Sequence, residues 1–203
     1  MYGRMDTIFC LVWYGLNNPK MKTKTITLYE YSELSKEAKE KAHRHYVEQE
    51  FDDASLTVHL DNLVQELLEK HGIEVLSTAD GKYDSKYAKL YYSLSHCQGD
   101  GIMFEGIFSF PTETEKEGGQ WKKYQVKVKQ SGHYSHSHSK TVEVEPENEA
   151  VEKEFEIVYQ KICKELEQSG YAHIDDLQSE GYFEEECNAN EWTFREDGTR
   201  EDD

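Results

Sequence analysis

Only three prolines occur in 203 residues, so little in the chain breaks a helix or stiffens a linker. Long apolar runs are also missing. No stretch approaches the roughly 20 apolar residues of a membrane helix. The most apolar segment, residues 8–14, is short and follows Arg4. It has no small-residue cleavage site after it, so residues 1–20 read as a leader or extension rather than a signal peptide. Cations are scarce: 23 Lys and Arg stand against 41 Asp and Glu, a formal charge of −18. Such a surface repels a phosphate backbone, which makes direct nucleic-acid binding unfavourable. The one basic cluster, Lys122, Lys123, Lys127 and Lys129, fits the polar face of a strand. Paired-cysteine motifs are absent. Cys10, Cys97, Cys163 and Cys187 share no CxxC spacing, and a chain of this size needs no disulfide staples. Reduced thiols and a cytoplasmic location are expected.

What remains is enough for one core. Residues 23–29 alternate as a strand. Ser35 then suits the N-cap of a helix whose stripe is Ala38, Ala42 and Tyr46. Leu56, Leu60, Leu63, Val64, Leu67 and Leu68 keep a helical period that Gly72 ends. Residues 73–77, 86–96, 102–110, 121–130 and 140–145 read as strands joined by short turns, hence an antiparallel meander. Pro146 suits the first turn of a long helix with Val151, Phe155, Val158, Ile162 and Leu166 buried, and Gly170 suits its end. Ser179 can cap a short helix carrying Phe183 and Cys187. A last strand is expected over 191–195 and a frayed polar end over 195–203. The expected fold is α+β: a single domain over 21–198, with two N-terminal helices and one long plus one short C-terminal helix on the sheet. Residues 199–203 form an acidic tail.

Two polar loops stand out. In Ser93-Leu94-Ser95-His96-Cys97-Gln98-Gly99-Asp100-Gly101, the glycines permit positive φ. No Lys-Ser/Thr pair and no helix follow, so this is no phosphate loop. The plain reading is a tight turn with Asp100 bonding its own backbone. The second loop, 131–139, carries His133, Tyr134, His136 and His138. Were it extended, His136 and His138 would point the same way and, with His133 or Cys97, could hold a metal. His136 with Asp100 or Cys97 would also serve as an acid–base or thiol pair. His43 and His45, two apart on a helix, cannot share a ligand. His59 and His71 fall at the edge of the second helix.

Residues 24–42, opening Lys24-Thr25-Ile26-Thr27-Leu28-Tyr29, resemble the start of a set of small acidic phage and prophage proteins. These are often labelled the N-terminal part of an antitoxin from a toxin–antitoxin stability system. The likeness continues through residues 93–101 and 131–136 and ends in 190–198, covering nearly all of 21–198. The family supplies no catalytic residues to carry over. What it implies is an intracellular protein of a mobile element that binds and disables a host protein, as an anti-defence (anti-CRISPR-like) inhibitor or an antitoxin.

The charge agrees with that implication. Acidic side chains can occupy the basic groove of a nucleic-acid-binding defence effector or toxin, imitating nucleic acid. The expected contacts are Gln98, Asp100, His133, Tyr134, His136, Glu152, Glu156, Glu184 and Glu185, with no cofactor and no membrane. A homodimer through an open strand edge is a further expectation. The alternative is a metal-dependent or thiol/His enzyme centred on the loops 93–101 and 131–139.

Overall fold

A computed structural model describes residues 25–51, 54–82, 85–117, 120–132 and 134–201. The elements in chain order are β1 (Tyr29–Glu30), α1 (Lys36–His45), α2 (Ala54–Lys70), β2 (Glu74–Ser77), β3 (Lys89–Ser93), β4 (Gly101–Glu117), β5 (Gln120–Gln130), β6 (Lys140–Glu145), α3 (Glu149–Leu177), α4 (Glu180–Ala189) and β7 (Thr193–Phe194). The fold is α+β. The described residues gather into two compact units, those of 25–51 with 176–201, and those of 53–175. No helix among the described residues is long and apolar enough to cross a membrane. The expected leader, residues 1–20, lies outside the described residues.

The 53–175 unit is built on a five-stranded antiparallel sheet. Strands β3 to β6 follow one another as the meander expected, but β2 bypasses β3 and pairs with β4. Phe104, Phe108, Phe110, Val126 and Val128 are buried on β4 and β5. On α3, Val151, Phe155, Tyr159, Ile162 and Leu166 are buried too. Rings from the two layers meet, with Phe104 against Tyr159 at 4.4 Å and Phe110 against Phe155 at 5.3 Å. Each such side chain contributes about 1.5–3 kcal/mol on burial, so this apolar seam holds α3 on the sheet. Val158, expected in the stripe, is only half-buried, and Tyr159 takes its place.

Two expected boundaries of α3 move. Asn148, not Pro146, opens the helix: its side-chain oxygen accepts from the backbone N–H of Ala150 and Val151. Gly170 lies inside the helix, which runs on to Leu177. A Cβ there would come within 2.5 Å of the Leu94 side chain and 3.4 Å of Leu60. The glycine is thus a point of close approach, not a stop. Helix α2 runs beside α3 in the opposite sense, with His59 bonded to Ser169 and Ser55 to His173. The rings of His59 and His173 stack at 4.4 Å. Gly72 ends α2 at φ +66°, as its position suggested.

The other unit has its own core of Tyr31, Leu34, Ala38, Ala42, Phe183, Cys187 and Phe194. Helices α1 and α4 therefore pack with each other and with the two-stranded sheet of β1 and β7. Ser35 caps α1 through the Ala38 N–H, and Ser179 caps α4 through the Tyr182 N–H. Of the first expected strand, residues 23–24 lie outside the described residues and only Tyr29 pairs with a partner strand, β1 running on to Glu30. A π-helical turn, Tyr46–Glu50, extends α1.

Residues 195–201, expected to fray, instead form a hairpin that continues β7. Arg195 N–H donates to Thr199 O, and Glu201 N–H to Thr193 O. Lys41 holds Asp197 at 2.7 Å, Arg195 pairs with Glu201, and Arg200 pairs with Glu50. Gly198, at φ +82°, sits so close to α1 that a Cβ would lie 2.1 Å from Ala38 O.

Candidate functional site

The two polar loops do meet. Gly101 faces His136 so closely that a Cβ would stand 2.7 Å from its Nδ1 and 3.2 Å from Ser135 O. Only glycine leaves room for this approach.

Asp100 is the knot of the first loop. Its Oδ2 accepts from the N–H of Ser95 at 2.7 Å and of Cys97 at 2.9 Å, and from the Tyr171 hydroxyl at 2.8 Å. Its Oδ1 accepts from the hydroxyls of Ser93 and Ser95. Partial burial, the largest single influence, works to raise its pKa. The donors from Cys97, Tyr171 and Ser95 together overcome it and hold the carboxyl well below the usual carboxylate range. Burial and the Asp100 carboxylate push the Tyr171 phenol up to about 12. Five donors fill the lone pairs of one carboxylate. Asp100 is therefore an anion that shapes its turn, with no capacity left to take a proton. The plain reading of the sequence, Asp100 bonding its own turn, describes it. Tyr171 on α3 adds an anchor from 71 residues away.

The second loop is turned rather than extended: Ser139 N–H donates to His136 O at 2.8 Å. Strand alternation therefore does not align His136 with His138. The His136 ring lies 5.7 Å from that of Tyr134, which is 64% exposed. His138 is exposed, and its Nδ1 faces the Gln160 amide at 3.3 Å. His133 lies outside the described residues. Among the described residues, no hydrogen bond links His136 to Asp100 or Cys97, and no three His, Cys, Asp or Glu gather as metal ligands. Gln98 and Cys97 are exposed at the tip of the first loop.

Beneath the second loop lies a polar cluster that the sequence did not announce. The side chain of Lys140 is only 4% exposed. Its Nζ donates to Glu156 Oε1 at 2.8 Å and Ser137 O at 2.6 Å, and lies over the Tyr159 ring at 4.4 Å. Gln160 bonds Glu156, and its Oε1 accepts from the Ser137 hydroxyl. Burial works to raise the Glu156 pKa, but Lys140 and Gln160 outweigh it and bring it down. Beside this cluster is a cleft of about 440 Å³ lined by Ser137, Gln160, Cys163, Lys164, Glu167 and Tyr171, among others. Burial pushes the Cys163 thiol up to about 12, so it is no nucleophile at neutral pH. Glu156, expected as a contact, is thus partly spent on Lys140.

The remaining acids divide by unit. In 53–175, many carboxylates have cations: Glu74 with Lys123, Glu143 with Lys127, Glu105 with Lys89 and Glu165 with Lys70. Two of the four lysines of the cluster on β5, Lys123 and Lys127, are engaged this way. Glu152 is exposed near the start of α3. In the other unit, residues 176–191 hold Asp176, Glu180, Glu184, Glu185, Glu186 and Glu191 without one Lys or Arg. Glu185 is exposed and Glu184 half-exposed on α4. The only cations of the adjoining hairpin, Arg195 and Arg200, are already paired with Glu201 and Glu50. No family model, no curated protein and no solved structure matches the chain.

Proposed function

We propose that this chain is a non-enzymatic binding protein of a phage or mobile element. It acts in the host cytoplasm, where it occupies the basic surface of a nucleic-acid-binding defence effector or of a toxin. The observation that carries the reading is the segment 176–191, six carboxylates with no cation among them, ordered on and around α4. Holding like charges on a short helix costs stability, by a few tenths of a kcal/mol for each neighbouring pair. A cationic surface laid against α4 offsets that repulsion, and electrostatic attraction speeds the encounter. The resemblance to small acidic phage proteins points the same way. The enzyme alternative has less behind it, because the donors around Asp100 fill its lone pairs and, among the described residues, no hydrogen bond joins His136 to Asp100 or Cys97.

The test is affinity capture with the tagged full-length chain from host cells, followed by a salt titration of the complex. Affinity should fall steeply between low and high salt, and E184K/E185K should weaken it further. A complex indifferent to both salt and charge reversal would remove charge mimicry from consideration.

A further inference from the structure

A cavity of about 190 Å³ opens within the unit formed by the described residues 25–51 and 176–201. Its walls include Tyr46, Phe183 and Phe194, together with His45, Glu50 and Arg200 of the C-terminal hairpin. The π-helical turn Tyr46–Glu50 supplies two of these groups. Such turns are rare and recur at functional sites, because the extra residue redirects side chains that an α-helix would point elsewhere.

The cavity already demonstrates a chemistry. Glu50 Oε2 accepts from the Arg200 guanidinium, and Oε1 faces His45 Nδ1 at 3.0 Å. The same guanidinium lies over the Trp192 ring at 4.5 Å. A carboxylate at the guanidinium edge and an aromatic ring on its face are the two contacts by which proteins recognise arginine. The surroundings favour a cation further. Glu180, Glu184 and Glu186 belong to the neighbouring helix, and no Lys or Arg occurs from 176 to 194. Burial and then Tyr182, Glu186 and Glu50 push the Tyr46 phenol up. Burial pushes the Cys187 thiol up to about 12, with Glu184 and Glu186 adding to it against the opposing Arg200. Burial penalises a charge of either sign here, and the carboxylates Glu50, Glu184 and Glu186 set the preference between signs toward a cation.

We propose that this cavity is a socket for an arginine side chain of the basic partner, and that Arg200 is its internal occupant. The inference rests on the proposed binding of a basic protein and names one contact of that interface. The incoming guanidinium enters the cavity that Tyr46, Phe183 and Phe194 help to line and takes over the Glu50 oxygen held by Arg200. The exchange keeps the carboxylate paired throughout, which avoids the large cost of a lone, partly buried charge. Arg200, whose side chain is 28% exposed, swings its head group into water. Arginine is preferred over lysine because an ammonium cannot both bond a carboxylate edge-on and stack flat on a ring.

The experiment is an NMR titration of the full chain with blocked arginine amide and with its lysine counterpart, read at the Trp192 indole and the amides of 46–50. The arginine probe should shift these signals and the lysine probe should do so far more weakly. Removing the competitor with R200A should tighten arginine binding by about tenfold, as for a site otherwise open about one-tenth of the time. E50Q should abolish binding. If R200A does not fold, Y46L in the otherwise native chain replaces it and should weaken the arginine probe. An arginine probe that leaves Trp192 unmoved in the native chain and the amides of 46–50 unmoved in R200A, or that binds equally well after Y46L, overturns the socket. An oligoarginine peptide run in parallel separates the two claims. Salt-sensitive peptide binding with Trp192 unmoved overturns the socket and leaves the acidic-surface reading standing. Absence of any peptide binding overturns both.

Discussion

Replacing Tyr159 by Phe removes one oxygen and should cost several kcal/mol. The side chain is fully buried. Its hydroxyl donates to Phe104 O at 2.9 Å and accepts from Phe104 N–H at 3.0 Å. Phe104 lies just beyond the last rung between β4 and β5, which is Gly106 with Val128. The phenol therefore stands in for a strand residue that β5 does not supply. In Y159F a buried backbone donor and a buried acceptor both lose their partner. Each costs about 1–3 kcal/mol when left unsatisfied. Ring packing against Phe104 and Phe155 survives the substitution, so no cavity term is added. Local relaxation offsets part of the loss, and a net of about 2–4 kcal/mol follows. For a chain of this size that lowers Tm by roughly 4–16 °C. The measurement is urea unfolding with thermal melts, with an unchanged m-value to show that the unfolded state is the same. A variant within about 0.5 kcal/mol of the native chain, the level of an ordinary surface substitution, would show that Phe104 is not held by this hydroxyl. Burial also lifts the Tyr159 phenol far above its ordinary range, so the cost should not vary between pH 6 and 9.

Two further expectations can be checked on the same samples. His59 is shifted down by burial and then by the charge of His173, and His71 by burial and then by Lys161 and Lys70. The folded state binds these protons less readily than the unfolded state, so stability is full above the ordinary value of 6.5 and falls as pH drops below it. Urea midpoints at pH 7.5 and 5.5 should show that loss, and H59Q should reduce it; equal midpoints would contradict the shifts. G198A places a Cβ against the α1 backbone at a positive φ, so the hairpin should lift from α1 and the amide of Glu201 should lose its protection in hydrogen exchange.

Much of the architecture was legible where a local signal and the tertiary requirement coincide. Ser35 and Ser179 cap the helices they were expected to cap, and Leu56, Leu60, Val64, Leu67 and Leu68 of α2 are buried at the spacing that their period demands, with Leu63 half-buried at the edge of the stripe. The errors share one cause, which is that distant partners override local chemistry. Gly170 looked like a helix end because glycine costs about 1 kcal/mol inside one, and the contact that explains it comes from Leu94 and Leu60. The charged residues 195–201 looked frayed because their partners Lys41 and Glu50 lie about 150 positions away. In the loops, the local part of Asp100's bonding was readable and the Tyr171 bond was not. The Lys140 cluster and the cavity beside the π-helical turn were invisible for the same reason. A buried lysine and a lone Arg–Glu pair leave no periodic trace in a sequence.

The pairing of β1 with β7 has a consequence for how the chain is made. Tyr31 and Phe194, whose rings stand 6.0 Å apart, leave the ribosome separated by more than 160 residues. Residues 54–175 include all five strands of their sheet and both of its long helices, and can assemble as they emerge. The unit that carries α4 and the proposed arginine socket cannot close until β7 and its hairpin have been synthesised. At about 5–20 residues per second, α1 waits on the order of ten seconds or more for its partners. Its apolar face, Ala38 and Ala42 with Leu34, is exposed meanwhile. Under the proposed function, partner capture by this surface therefore requires synthesis past Phe194, and a ribosome that stops short of it releases a protein whose five-stranded sheet is complete and whose acidic unit is not.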